Sequence, residues 1–569
     1  MSTSVQNLDS LRDATARLLA LSRSVGQHAS SFRYEHLATL ERIEDQLRQA
    51  LMYTQNVHNA LASTDRLPAE ILCMIFVHVI VDPRHSQHRS RKDLRTIQAV
   101  CQLWRQVAMS CPALWWEIDL DERTTPSTLH ELLRRGGAIP LEVSAFCADD
   151  LLKHIDPYMP QMRKLDITFR TSPMLDMQPS HRTSLLFRPA PLLEGLHLSA
   201  YDDVDDHIQT PMLFEGDAPR LSRLFLDQHF AWTTNRLPNL THLYLKAQYM
   251  FSPASLIDFL DFLEGSPQLE HIILHRAGPC VVPDLFPVFP ISRYVNLSRL
   301  RTLVFDLCQW EVVACVLRHV VPSTQAAVQI TELRQLRRAH ELLCIFAQGA
   351  AFMNHTNDMT QLCLWCGERV ACLACNGPSA SLTVAVQMDD EAPSSVCNTL
   401  VAVLVTELPS ILPIQHIFDL RLALGGYKPV WPPAVVVLLQ SLYAVESCTI
   451  WVDREVDKKY WRTCLKSEYM VPLPQLKSLQ FVGELPTWYK PFWAMGLAIG
   501  RAKRGHPLEK LTLTAVRGFL DTPNFVRWVP KTMTISGQRM AKFVQELKFN
   551  IIEYSPMDPP DIGAWDGEV

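Results

Sequence analysis

Four cysteines spaced Cys363-x-x-Cys366 and Cys372-x-x-Cys375 come nearest in this chain to a pattern that could do chemistry. Each Cys-x-x-Cys can hold one edge of a tetrahedral zinc ion as two thiolates. Gly367-Glu368-Arg369 can turn a hairpin between the pairs. Against that, Leu362 and Leu364 fit a repeat strand described below, which makes the four thiols ordinary buried or edge cysteines; the chain is expected to hold no metal and no cofactor. Asp202, Asp203, Asp205, Asp206 and His207 form an acidic knot that reads either as a solvated loop or as a seat for a cation or a basic tail. The signatures that enzymes show most readily are missing from the sequence: no Gly-x-Ser-x-Gly elbow, no Gly-x-Gly-x-x-Gly or Walker loop, no His-Glu-x-x-His helix. The expectation is a chain that is not an enzyme, with no catalytic residues.

The elements that could position something else lie between Leu67 and Trp115. Apolar residues fall at Ile71, Leu72, Ile75, Phe76 and Val79, then at Leu94, Ile97, Val100, Cys101, Trp104, Val107 and Ala108, the i, i+3, i+4 spacing of amphipathic helices. This predicts two short helices, each with one apolar face. Pro68 suits a first helical turn because the N–H it lacks would have no intrahelical partner there. Glu70 sets a carboxylate near the positive end of the same helix, which should start at Leu67 or Pro68.

Leu67-Pro68-x-Glu70-Ile71-Leu72-x-x-Ile75-Phe76, followed by Val100-Cys101-x-x-Trp104-Arg105 and Leu114-Trp115, resembles the F-box. The resemblance covers about 50 of the 569 residues. It implies a dock for the Skp-type adaptor of cullin ubiquitin ligases, with Leu67, Pro68, Ile71, Leu72 and Ile75 meeting the adaptor and Val100 and Trp104 as second-helix contacts. The alternative is that these side chains fill a small helical core. Asp82 to Lys92 departs from the compact pattern as a polar insert between the two halves. A split F-box preceded by a long helix and followed by irregular leucine-rich repeats is similar to the F-box-like domain-containing proteins of mushroom-type (basidiomycete) fungi.

A chain of 569 residues that is 48% hydrophobic and 20% charged can bury a large core. Its formal charge of −5 and pI near 6.5 give no electrostatic case for nucleic acid. The opening MSTSVQNLDSLRDA has no apolar signal core, and the greasiest later stretches, 399–414 and 434–445, are interrupted or too short to span a bilayer. An intracellular protein in cytoplasm, nucleus or both is expected, with no membrane partner. Fifteen scattered cysteines fit reduced thiols better than a disulfide framework.

Residues 1–64 are rich in Leu, Ala, Gln, Arg and Glu and read as a long helix. From Leu40 a heptad-like edge runs through Leu47, Thr54 and Leu61, with Leu51 and His58 as intermediate positions. It can lie against the rest of the chain or join copies of it.

Past Glu117 the signal is an internal repeat, Pro-x-Leu-x-x-Leu-x-Leu. It occurs with variations from Pro160, Pro191, Pro219, Pro238 and Pro267, then without proline from Leu300, Met359, Ile417, Val445, Leu476 and Leu508, mostly 28–32 residues apart. That period has room for a strand and a return helix, the latter visible in residues 252–265 with Ser252 as a candidate cap. The unit resembles a leucine-rich repeat, whose greasy strand face is buried by stacking on neighbours. The asparagine or cysteine expected three residues past the last leucine is mostly replaced, by Tyr201, His229, Gln248 and Ala277; only Cys308 fits. The 19-residue step from Leu221 to Leu240, and the gaps 300–359 and 359–417, predict an irregular arc.

Residues flanking the strand leucines alternate to the opposite face. That face carries His197, Arg223, Phe225, Asp227, His242, Tyr244, Lys246, His271, Ile273, His275 and Asp306. Aromatic anchors among polar groups have the chemistry of a binding surface, and His197, Arg223, Phe225, His242, Tyr244, His271 and His275 are the candidate contacts for a substrate protein. The other reading is an ordinary solvated sheet face.

The expectation is an α/β chain: an N-terminal helix (1–64), an all-α F-box (65–118, insert 82–92), an irregular leucine-rich-repeat solenoid arc (119–550) with parallel strands inside and helices outside, and a tail (551–569). The function implied by the resemblance is that of a substrate-recognition subunit of an SCF-type ligase, bound to a Skp-type adaptor and through it a cullin. A leucine-rich-repeat scaffold without a ubiquitylation role is the alternative.

Overall fold

The computed structural model describes residues 2–27, 37–60, 63–80, 87–121, 123–147, 149–169, 186, 188–200, 213–227, 235–247, 254–279, 293–333, 341, 344–346, 356–366, 370–387, 394–424, 432–452, 455–466, 471–484, 492–516 and 543–552. The chain divides into two compact units, Met1–Trp116 with Arg134–Gly137, and Glu117–Leu133 with Ala138–Val569.

In the first unit the N-terminal stretch is helical over α1 (Ser2–Gln27) and α2 (Leu37–Ala60), and residues 28–36 between them lie outside the described residues. Helix α3 (Ala69–Ile80) follows a short 3-10 turn, and Pro68 stands just before it, its carbonyl accepting the amides of Ile71 and Leu72 at 3.1 Å. The single helix expected over 94–108 is two, α4 (Gln87–Val100) and α5 (Gln102–Ser110). Cys101 between them is extended (φ −154°, ψ 172°) and its Sγ accepts the Trp104 amide at 3.4 Å, so it caps α5. Periodicity could not show that break, because Ile97, Cys101, Trp104 and Ala108 keep helical spacing straight through it. Nor is the insert 82–92 a loop throughout: from Gln87 it belongs to α4, and 82–86 lie outside the described residues. The small core is Leu72, Phe76, Ile97, Cys101, Val107, Ala108, Cys111, Leu114 and Trp115. The Trp115 indole N–H is satisfied by the Ala108 carbonyl at 2.9 Å.

The second unit is built on strands β1 (Glu117–Leu120), β2 (Leu141–Cys147), β3 (Met162–Phe169), β4 (Gly195–Ala200), β5 (Arg223–Asp227), β6 (His242–Lys246), β7 (His271–His275), β8 (Val295–Leu297), β9 (Thr302–Asp306), β10 (Val320–Pro322), β11 (Ala327–Thr331), β12 (Gln361–Cys366), β13 (Val370–Asn376), β14 (Ser381–Gln387), β15 (Asp419–Ala423), β16 (Ser447–Trp451), β17 (Ser478–Glu484), β18 (Leu508–Val516) and β19 (Val544–Ile552). Seventeen of them form one sheet; β8 and β10 pair separately. From β1 to β7, and on through β9 and β11, each strand pairs in parallel with the next. There the order changes. β11 pairs with β14, β14 and β13 and then β13 and β12 are antiparallel, and β12 pairs in parallel with β15. The parallel run then resumes to β19.

Most strand cores alternate as the repeat requires: Leu224 and Leu226, Leu243 and Leu245, and Leu303 and Phe305 are buried in one continuous apolar core. Helices return between strands at Ala254–Glu264, Trp310–His319, Pro432–Ser441, Glu455–Leu465 and Phe492–Lys503. Ser252, the expected cap, lies outside the described residues, as do the acidic knot at 202–207 and the tail from 553. The unassigned gap 300–359 holds β11, whose Val328 and Ile330 occupy core positions without leucine or proline. The gap 359–417 holds the β13–β14 pair and a helix at Ser394–Ile411. Strands β1, β2 and β19 also fall outside the repeats read from the sequence.

One backbone device recurs. Ala247, Arg276, Leu307 and Glu332, each one residue past a strand, have φ between 49° and 52°. The amides of Ala247, Arg276 and Leu307 reach the carbonyls of His275, Asp306 and Thr331 at 2.8–3.1 Å, so the left-handed step adds a rung to the ladder. Cys308 supports the same corner: 2% exposed, its thiol donates to the Leu274 and Ala277 carbonyls.

Candidate functional site

Two surfaces take the sequence-predicted residues, one in each unit. On α3 two apolar faces lie side by side. Leu72 and Phe76, both 1% exposed, point into the helical core, where Phe76 meets the half-buried Trp104 with ring centroids 4.9 Å apart. Ile71, Ile75 and Val79, at 41%, 42% and 45% exposure, continue from exposed Pro68 as a row at i, i+3 and i+4 spacing, with Met74 beside it. Leu67 is half-buried and Val100 is exposed. Leu72 is therefore a packing residue and not a contact a visitor can reach. Trp104 is largely occupied by Phe76. Met74 and Val79 are exposed beside these residues but were not among the sequence-predicted candidates, although the step from Ile75 to Val79 continues the exposed row.

Such a helix presents an apolar strip that a second protein could cover. A helix greasy on two faces has one more face than its own core uses. Among the described residues no helix is long and apolar enough to cross a membrane.

On the sheet, register aligns the candidate residues into rows. Asp166, His197, Phe225, Tyr244 and Ile273 stand opposite one another across β3 to β7. His197 takes Asp166 at 3.0 Å and meets Phe225 edge-on at 3.9 Å, and Phe225 stacks on Tyr244 at 4.3 Å with ring planes 5° apart. Ile273 does not extend this row into solvent: it is 5% exposed, a correction to its place on the open wall. The next row holds Arg223, His242 and His271, with the two imidazoles stacked at 4.5 Å. The third pairs its charges internally, Lys246 with Asp227 at 2.8 Å and His275 with Asp306 at 2.6 Å, and Thr331 donates to Asp306.

The electrostatics follow from these contacts. Burial lowers the His242 pKa, and neighbouring His271 and Arg223 lower it further. Burial likewise lowers His271. Thr241 uses its single proton on the Ser222 carbonyl at 2.9 Å, so its oxygen accepts from His242 Nδ1 at 2.8 Å and leaves Nε2 as the atom that titrates. Burial alone would raise Asp306, but the bonds from His275 and Thr331 outweigh it and hold the carboxyl below its ordinary range. Burial raises Tyr244, which stays a phenol. The sequence reading missed Asp166 and Thr331 because each sits on a strand outside the 197–306 window; only the register brings them in.

The four cysteines do not converge. Cys363 and Cys372 share one face of the β12–β13 pair with Trp365, whereas Cys366 and Cys375 lie on the core face with Leu362, Leu364 and Leu373. Three residues along an extended strand reverse a side chain's direction, so each Cys-x-x-Cys straddles the sheet and cannot clasp one ion. Burial pushes the Cys372 and Cys375 thiols up to about 12.

Residues 64–121 match the family described as F-box-like. This chain thus carries an F-box-like domain, and α3, α4 and α5 are its helices. No curated protein matches the chain closely enough to add to that assignment.

Proposed function

We propose that the protein is a substrate-recognition subunit of an SCF-type ubiquitin ligase. The observation that carries this reading is the exposed row Pro68, Ile71, Ile75 and Val79, on a helix of an F-box-like match whose other apolar face already forms the core. F-box domains generally bind Skp-type adaptors, and a strip of this kind suits an adaptor helix or groove. Residues 119–550 act as an irregular leucine-rich-repeat arc. Its open sheet face holds an intracellular target protein, with the Phe225–Tyr244 stack as apolar anchor and Arg223 as a cation that has no carboxylate partner among the described residues. The protein does no covalent chemistry itself. It raises the local concentration of the target beside the ubiquitin-loaded enzyme brought by the cullin.

Co-expression with a Skp-type adaptor and a cullin tests the reading. The three should co-purify, and a Leu67→Ala, Pro68→Ala double variant should lose both partners while the second unit keeps its unfolding transition. An intact chain that fails to retain the adaptor at micromolar concentration would refute the ligase role and leave an interaction scaffold.

A further inference from the structure

Helix α2 is built inside out. Leu40, Ile43, Leu47, Ala50, Thr54 and Val57 alternate three and four residues apart, which is the a/d pattern of a heptad repeat. The large members are open to solvent, Leu40 at 40%, Ile43 at 43%, Leu47 at 42% and Val57 at 57%. Leu51 and Tyr53, at 59% and 67%, flank the same edge. The half-buried positions of the helix are polar: Asn56 and Asn59, with Asn56 Nδ2 donating to Gln102 Oε1 of α5 at 3.2 Å. At 100° per residue those asparagines lie roughly opposite the a/d edge. A solvated helix with an apolar back would show the reverse, so the F-box-like domain does not cover this edge.

We infer that α2 is a self-association element whose a/d edge is covered by α2 of further copies of this chain. Three observations select that occupant. The periodicity is 3.5 rather than the broader stripe of a helix packed on a globular core. The flanking e and g positions, Glu44, Gln46, Leu51, Tyr53 and His58, hold a single formal charge, and parallel pairing sets Gln46 against Leu51 and Tyr53 against His58 with no like charges opposed. The Glu44 and Asp45 carboxylates are taken by Arg48 at 2.6 and 3.6 Å on their own helix. The a positions are Leu40, Leu47 and Thr54 and the d positions Ile43, Ala50 and Val57, so the apolar part of the edge is Leu40, Ile43 and Leu47 with Val57 beyond. A helix of 24 residues is about 36 Å long, and a strip of that length and roughly 10 Å width on each of two chains totals about 700 Å², at the weak end of specific interfaces. That falls short of the roughly 1,000 Å² a stable interface needs, so association is weak and concentration-dependent. Its consequence is several F-box-like domains and sheet surfaces in one assembly, which strengthens capture of a multivalent target.

The full chain measured by analytical ultracentrifugation from about 1 to 100 µM tests this. A weight-average mass rising from 64.8 kDa to at least twice that value is expected. A Leu40→Lys, Leu47→Lys double variant should stay at the single-chain mass while keeping its helical circular dichroism and melting temperature, because both side chains are solvent-exposed within one chain and lysine is a good helix former. An Asn56→Ala, Asn59→Ala variant should associate as the wild type does. A wild-type chain that remains single at 100 µM, with α1 or nothing on that edge, overturns the inference. So does a lysine variant that still associates.

Discussion

Replacing Ile75 and Leu72 by alanine, one at a time, separates the two faces of α3. Leu72 is 1% exposed, and truncating a fully buried leucine costs about 2–5 kcal/mol through lost transfer energy and the cavity left behind. Ile75 is 42% exposed. The still-hidden share of its three lost carbons, at about 0.8 kcal/mol each when fully buried, comes to about 1.4 kcal/mol. The better helix propensity of alanine returns a few tenths of that. Adaptor affinity should move the other way. A central interface anchor is worth about 2 kcal/mol or more, roughly a 30-fold loss, and that loss is expected for Ile75→Ala. Leu72→Ala should weaken binding only as far as it unfolds the domain. Denaturant unfolding and calorimetric titration with a Skp-type adaptor on the same samples give both numbers. Adaptor affinity within twofold of wild type for Ile75→Ala, or a stability loss equal to that of Leu72→Ala, would refute the two-face reasoning.

Further expectations follow from the sheet. Leu224→Ala, in the middle of the parallel run and 2% exposed, should cost about 3–5 kcal/mol in chemical denaturation. A Phe225→Ala, Tyr244→Ala, His271→Ala variant should bind the adaptor as wild type does yet fail to retain a target captured by the native chain; unchanged capture would remove the sheet face from the proposal. His242 and His271 have folded pKa values below their unfolded ones. Their neutral forms are therefore favoured in the fold, and the associated stability is complete above about pH 6.5 and declines as pH falls below it. Thermal melts between pH 7.5 and 5.5 should show that decline, and His242→Gln with His271→Gln should flatten it. Elemental analysis of the purified chain should find no stoichiometric zinc; one zinc per chain, lost on Cys363→Ser, would contradict the two-faced placement of the cysteines.

What was legible in the sequence was the part carried by period. The strand leucines from Leu196 to Leu513 sit in the core because alternation and the 28–32-residue step follow directly from side-chain geometry and stacking. The strands that escaped notice lack that signature: β11 fills its buried positions with Val, Ile and Thr, and β13 is rich in Ala and Cys. The left-handed residues Ala247, Arg276, Leu307 and Glu332 share no chemistry, so no composition rule could place them. On the F-box-like side, spacing found α3 but not which of its two greasy faces turns inward, since Leu72 and Ile75 differ in partner rather than in type. The break at Cys101 was hidden by apolar spacing that runs unbroken across it.

The exchange of strand order at β14, β13 and β12 bears on how the chain emerges from a ribosome. Every main-sheet strand through β11 can dock on a neighbour already synthesised. The mate of β11's free edge is β14, which begins about fifty residues after β11 ends. At roughly 5–20 residues per second, that edge, bearing Val328 and Ile330, stays open for about 3–10 s. A nascent chain paused there offers an unmatched strand to any other extended polypeptide nearby.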